Sequence, residues 1–251
     1  YRGELERFRD KYGNRSAATM KARHVQTLID QMAETPAAAN NLRKRLGQLF
    51  DVAILADWRT DNPAKAVQSV KTRKGGFRTW QEPEIALYEA KHPIGTMPRL
   101  ALDLALYTAQ RRSDLAVMGP RDVEGDEIRV RQLKTGRELY IPIHPALQES
   151  IEATPHGETF ITSERGKPFV KESLGEWFRK HRRAAGIAEG YSLHGLRKAA
   201  SRRMAEMGLS NQVIKSITGH VTDSEVSRYT RDAEQRKMAR RGVESMASKQ
   251  K

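Results

Sequence analysis

There is no cysteine among the 251 residues. That excludes disulfides, thiolate chemistry and cysteine-ligated zinc, and it fits a reducing cytoplasm. No apolar run approaches the roughly 20 residues that a membrane span needs. No signal-peptide pattern points to secretion. Aromatic residues make up only 6% of the chain. No segment pairs a basic face with a large aromatic one, so a helix lying on a membrane surface has no support. A G-x-x-x-x-G-K-[ST] loop is missing, so ATP is not implied. Carboxylates clustered at metal-ligand spacing are missing as well, which argues against divalent-metal phosphodiester chemistry.

What the chain has is positive charge: 45 Lys+Arg against 31 Asp+Glu, a net +14. Such an excess favours a polyanion, most commonly nucleic acid. The bland alternative is a basic protein kept soluble by its charge. Residues 1–76 hold 15 basic and 8 acidic side chains, and residues 77–251 hold 30 and 23. Each part is net +7, so the shorter first part is far denser in charge. The length suits one or two domains. Tyr1 in place of Met points to a fragment or a processed chain.

Residues 1–70 read as a helical domain. Val25, Leu28, Ile29 and Met32 recur at helical spacing, and Thr35-Pro36 is a cap followed by proline at the first helical position. Leu42, Leu46, Leu49, Phe50, Ile54 and Leu55 are the apolar positions of the next helix, whose polar side carries Arg43, Lys44 and Arg45. Taken alone, those three cations are as well explained by a solvated face as by contact with DNA. Asp61-Asn62-Pro63 reads as a break. Residues 71–78 form a basic linker with a Gly75-Gly76 pair and with Lys71, Arg73 and Lys74. Positive charge there would help if the linker ran close to phosphates.

Residues 79–251 read as a second domain. Thr79 and Glu82 form a capping-box pattern, and an apolar helix with Leu100, Leu104 and Tyr107 runs from Pro98 to about Gln110. Strands are expected over 127–133 and 138–143, joined by a turn at Gly136 as a hairpin. His144, in a Pro-Ile-His-Pro exit from the second strand, reads as structural. A helix is expected from Lys171 to Ala185. The predicted fold is mainly α with a small β-hairpin or sheet.

The stretch from Tyr191 to Arg231 is the densest in chemistry. Ser192 caps a helix that places His194 and Arg197 three residues apart, on one face near its positive end. Gly208 stops this helix. Ser210 caps the next, whose Val213, Ile214 and Ile217 are expected to point inward. Gly219 ends that one, leaving His220 in a loop. Thr222 and Glu225 open a third helix, which carries Tyr229. A further helix over 232–246 has Ala239, Val243, Met246 and Ala247 on one face.

The order H-x-x-R, G-H, then Tyr nine residues after that His resembles the C-terminal signature of the tyrosine recombinases, the phage-integrase family. Upstream, YTAQRRSDL resembles the family's first arginine motif, T-G-x-R-x-S-E/D-L, with Ala109 where Gly is usual. The likeness spans roughly residues 77–235. It implies a two-domain architecture, with a helical core-binding domain ahead of an α+β catalytic domain. It also implies a site-specific DNA recombinase that integrates or excises a phage or other mobile element through a covalent 3′-phosphotyrosine.

By the same resemblance Tyr229 is the nucleophile, Arg111 and Arg197 clamp the phosphate and His220 adds a donor. His194 is the base, Lys134 the general acid, and Asp114 holds an active-site arginine or histidine. No cofactor or metal is implied. The implied partners are double-stranded DNA bearing a core site, a homotetramer on that DNA and accessory DNA-bending proteins, and the implied location is the cytoplasm at the nucleoid. The terminal helix would fold on its own domain or dock on a neighbouring subunit. The alternative is a catalytically silent DNA-binding protein on the same fold.

Overall fold

The computed structural model describes residues 2–71, 77–230, 238–240 and 242–244. The chain divides into two compact units, Tyr1–Gly75 and Gly76–Lys251.

Among the described residues the first unit contains three α-helices, α1 (Arg2–Tyr12), α2 (Ala22–Asp30) and α3 (Pro36–Leu55), with a short 3-10 turn at Ala17–Thr19. Val25 and Ile29 of α2 meet Leu46 and Phe50 of α3 in a small core that excludes water. Thr35 precedes Pro36 at the first turn of α3, where a missing N–H leaves no hydrogen bond unmade. The apolar face of α3 is narrower than its sequence suggests. Leu49 and Leu55 are exposed, and Ile54 is half-buried. The 20 residues of α3 are covered on one stripe, by α1, α2 and the segment 62–70, whose Ala64 and Val67 share the core.

The second unit contains α4 (Glu82–Lys91), α5 (Met97–Thr108), α6 (Arg112–Leu115), β1 (Val123–Glu124), β2 (Glu127–Arg131), β3 (Glu138–Pro142), α7 (Pro145–Ala153), α8 (Lys171–Ala184), α9 (Leu193–Glu206), α10 (Asn211–Thr218) and α11 (Asp223–Thr230). The strands form one antiparallel sheet in the order β1-β2-β3. The expected hairpin is present, with Gly136 at φ 69° in its turn and Arg131 opposite Glu138. The short β1 strand was not expected. Strict alternation puts Ile128, Val130, Leu139 and Ile141 on the buried face. α5 is buried along nearly its whole length, with Leu100, Leu102 and Leu104 fully enclosed.

Two local expectations are corrected. The cap of α4 is Gln81 rather than Thr79; the Gln81 N–H donates to Glu84, two residues beyond the expected pair. Trp80 is fully buried and its indole N–H donates to the Ser192 carbonyl, so the helix starts only after that anchor. Val213 is 41% exposed rather than inward-facing, while Ile214 is buried. His144 has the structural role expected of it, accepting the Ala146 N–H as the cap of α7 and stacking on Tyr107.

Ser192, Ser210 and Thr222 accept amide hydrogens from Gly195, Val213 and Glu225 at the starts of α9, α10 and α11. Ala205, Ile214 and Val226 form the small core that joins these three helices. Of the expected terminal helix, residues 238–240 and 242–244 are helical; Met246 and Ala247 lie outside the described residues.

Candidate active site

The first functional side chain comes from the end of α5. Its C-cap, Ala109, is left-handed at φ 53° and fully buried. A left-handed alanine costs about 1–2 kcal/mol, so the turn is held by its surroundings. This turn reverses the chain so that Arg111 caps α6. Arg111 is half-buried and donates from Nη1 to Gln132 Oε1 at 2.8 Å. Arg112, the other candidate in the RR pair, is exposed.

Lys134 is exposed in the turn between β2 and β3. Asp114 was expected to hold an arginine or a histidine. Its Oδ1 instead accepts the Leu133 N–H at 2.9 Å and the Ser113 hydroxyl at 3.4 Å, so it fixes the turn that carries Lys134.

His194 and Arg197 stand one turn apart on α9. His194 is half-buried beneath Phe77, with ring centroids 5.1 Å apart. Burial pushes its pKa down to about 4, and the charges of Arg197, Lys198, Arg111 and Lys134 act in the same direction. His194 is therefore neutral at pH 7. Arg197 is fully buried. Its Nη1 donates to the Ala109 carbonyl at 2.5 Å, and its Nη2 meets His220 Nε2 at 2.7 Å.

His220 follows Gly219, whose φ of 72° ends α10 in the left-handed region that favours glycine. The loop expected at this position is deeply buried, with His220 only 2% exposed. Burial first, then the Arg197 charge, lowers its pKa to about 4. Arginine can only donate, so Nε2 accepts, and the ring proton sits on Nδ1, 2.9 Å from Thr218 Oγ1. In this arrangement His220 holds Arg197 rather than presenting an N–H outward.

Arg111, Lys134, His194 and His220 line one cleft of about 770 Å³, together with Phe77, Tyr191 and Glu225. Arg197 is not on its surface and meets the cleft through His220. The backbone of Tyr229 lies in α11, but its side chain is outside the described residues. Among the described residues no group of three or more His, Cys, Asp or Glu is placed to hold a metal ion. No described helix is long and apolar enough to cross a membrane.

The residues expected to meet DNA are distributed differently. Arg43 donates to the Val67 carbonyl and Arg45 to Gln48, while Lys44 and Lys71 are exposed. Arg73 and Lys74 lie outside the described residues.

Sequence reasoning passed over Gln132, Gln110 and Phe77. Gln132 could have been found, because it continues the inward parity of Ile128 and Val130 and yet is polar and fully buried. Gln110 directly precedes Arg111, and Phe77 sits inside a stretch read only as linker.

Residues 79–236 match the phage integrase family. The chain belongs to that family. Its N-terminal unit lies ahead of the matched region. Among similar proteins, the integrase of Escherichia phage HK022 is 28% identical over 245 residues, covering 91% of this chain and 68% of that protein. The integrase of Enterobacteria phage 434 is 30% identical over 209 residues, covering 78% of this chain and 58% of its own length. This family member thus spans roughly three-fifths to two-thirds of the phage integrases it matches.

In fold it is similar to a lambda integrase (residues 75–356) dimer bound to a COC′ core site, with a TM-score of 0.80 and 24% identity over 94% of this chain and 88% of that one. It is also similar to a lambda integrase tetramer bound to a Holliday junction, with a TM-score of 0.76 and 25% identity over 90% and 71%.

Proposed function

We propose that this integrase-family chain is a site-specific DNA recombinase that cuts and rejoins strands through a covalent 3′-phosphotyrosine, in the integration or excision of a phage or other mobile element. One observation carries the reading. Arg111, Lys134, His194 and His220 come from four separate segments, line one cleft, and include two histidines kept neutral amid cations.

The Tyr229 oxygen attacks a backbone phosphorus, the P–O5′ bond breaks, and the 5′-oxygen leaves. A phenol titrates near 10, so ionising it at pH 7 costs about 4 kcal/mol. A neutral imidazole at His194 suits the task of accepting that proton. Arg111 and the buried Arg197, held in place by neutral His220, concentrate positive charge where the non-bridging oxygens gain negative charge, and arginine holds its proton throughout. Lys134 delivers the proton that the 5′-oxygen needs. One phosphodiester is exchanged for a phosphotyrosine of similar energy, so the reaction needs no nucleotide fuel.

The proposed partner is duplex DNA bearing a core site, with a homotetramer assembling on it and accessory bending proteins assisting. That places the enzyme in the cytoplasm at the nucleoid. The N-terminal helical unit and the basic linker supply further phosphate contacts.

A DNA duplex nicked near the crossover traps the intermediate. Wild type should leave a denaturant-resistant protein–DNA adduct, and Tyr229→Phe should abolish it while DNA binding persists. An adduct from the variant would disprove the nucleophile assignment. DNA binding by wild type with no adduct would leave the silent DNA-binding protein as the reading.

A further inference from the structure

The geometry points to Gln132 as the positioning residue that sets Arg111, the Lys134 turn and the His220 loop in register with one another. This inference rests on the recombinase reading. Gln132 is fully buried, and both ends of its amide are doubly bonded. Its Oε1 accepts from Arg111 Nη1 at 2.8 Å and from the Thr135 hydroxyl at 2.8 Å. Its Nε2 donates to Gln110 Oε1 at 2.8 Å and to the Thr218 carbonyl at 2.9 Å.

The orientation of the amide is fixed by its neighbours. Arginine has no acceptor and a carbonyl has no donor, so turning the amide over would set donor against donor and acceptor against acceptor. Gln110 extends the relay, donating to the carbonyls of Thr108 and Ile217. One side chain therefore ties together the end of α5, the turn after β2 and the end of α10. These are the three places from which Arg111, Lys134 and His220 emerge.

The backbone of Gln132 closes the same turn, its N–H donating to Arg137 and its carbonyl accepting from Gly136, each at 2.8 Å. A β-carbon at Gly219 would collide with the Gln132 amide, so the His220 loop is seated directly against it. Thr135 lies next to Lys134 in sequence, and its hydroxyl is the tie between the amide and the lysine's own turn.

Two variants separate positioning from mere structural support. Thr135→Val cuts the Lys134 tie at an exposed turn, and Gln132→Met keeps the side-chain length while removing all four bonds. Single-turnover adduct formation is measured at saturating protein, with DNA affinity and melting temperature determined alongside. Two substrates are used, one with the natural 5′-oxygen at the scissile bond and one with a bridging 5′-sulfur. A thiolate leaves without being protonated, so the sulfur substrate does not depend on a general acid.

Thr135→Val should slow the oxygen substrate by about three- to tenfold, the worth of one hydrogen bond, and run near the wild-type rate on sulfur. Gln132→Met should lose on the order of 100-fold on oxygen and stay slow on sulfur, because Arg111 is also released. Wild-type rates for Thr135→Val, or equal slowing on both substrates, would overturn the inference. If Gln132→Met does not fold, the Thr135→Val result decides alone. Absence of an adduct from wild type with either substrate would instead defeat the recombinase reading, and this inference with it.

Discussion

Acidifying the protein should destabilise its second unit over a pH range set by the two histidines of the cleft. His194 and His220 are each held near pKa 4 in the folded chain, against an ordinary value of 6.5. An unfolded chain therefore takes up two protons between these values that the native state refuses. The associated stability is complete above pH 6.5 and is lost as the pH falls toward 4. At pH 5 each group has given up about 2 kcal/mol, or about 4 kcal/mol for the pair, much of a typical domain's 5–15 kcal/mol. Burial also lowers the pKa of His181, which acts in the same direction.

Urea titrations at constant ionic strength between about pH 7.5 and pH 5 would measure this, with an expected slope near 2–3 kcal/mol per pH unit at the acid end. His194→Gln should remove close to half of that slope while leaving the curve above neutrality nearly unchanged. A stability that stays flat from about pH 6.5 to 5, or a slope untouched by the variant, would refute the claim that burial keeps these imidazoles neutral. That claim also underlies the choice of His194 as base.

Three further outcomes are expected. Glu82 pairs with Arg202 and Arg203, and the Arg203 bond first of all holds its pKa near 2. Glu82→Gln should cost about 1 kcal/mol near neutrality, allowing for the exposure of the carboxylate, and the deficit should vanish as the pH falls from about 4.5 to 2 in denaturation curves. Gly219→Ala combines a left-handed φ with a collision against Gln132, so it should lower the melting temperature and slow adduct formation together. Lys44→Ala, if that side chain meets phosphate, should reduce the salt slope of DNA binding by about one counterion; Arg43→Ala, which frees the Val67 carbonyl, should register in stability instead.

Most of the second unit was legible because its signals are local. Period-two alternation fixed β2 and β3, and serines or threonines at helix starts announced α9, α10 and α11. The family motifs supplied candidates for the reacting groups. Misreadings arose where long-range packing competes with local pattern. Trp80, anchored to Ser192 more than a hundred residues away, moved the start of α4. The partners of α3 cover one stripe of it and leave Leu49 and Leu55 in water.

The sequence by itself determined which side chains are available: a chain without thiols, rich in cations, with arginines, histidines and a tyrosine at telling intervals. It also determined the helices and the hairpin, since spacing and capping act within a few residues of each other. Only the tertiary structure decided that Asp114 serves the Lys134 turn, that His220 faces Arg197, and that an overlooked glutamine joins three of the four segments that carry Arg111, Lys134, His194 and His220. The physical reason is that a hydrogen bond needs a partner within about 3 Å, whatever the separation along the chain. Gln132 and Thr218 are 86 residues apart in sequence and reach that distance only once the fold has closed.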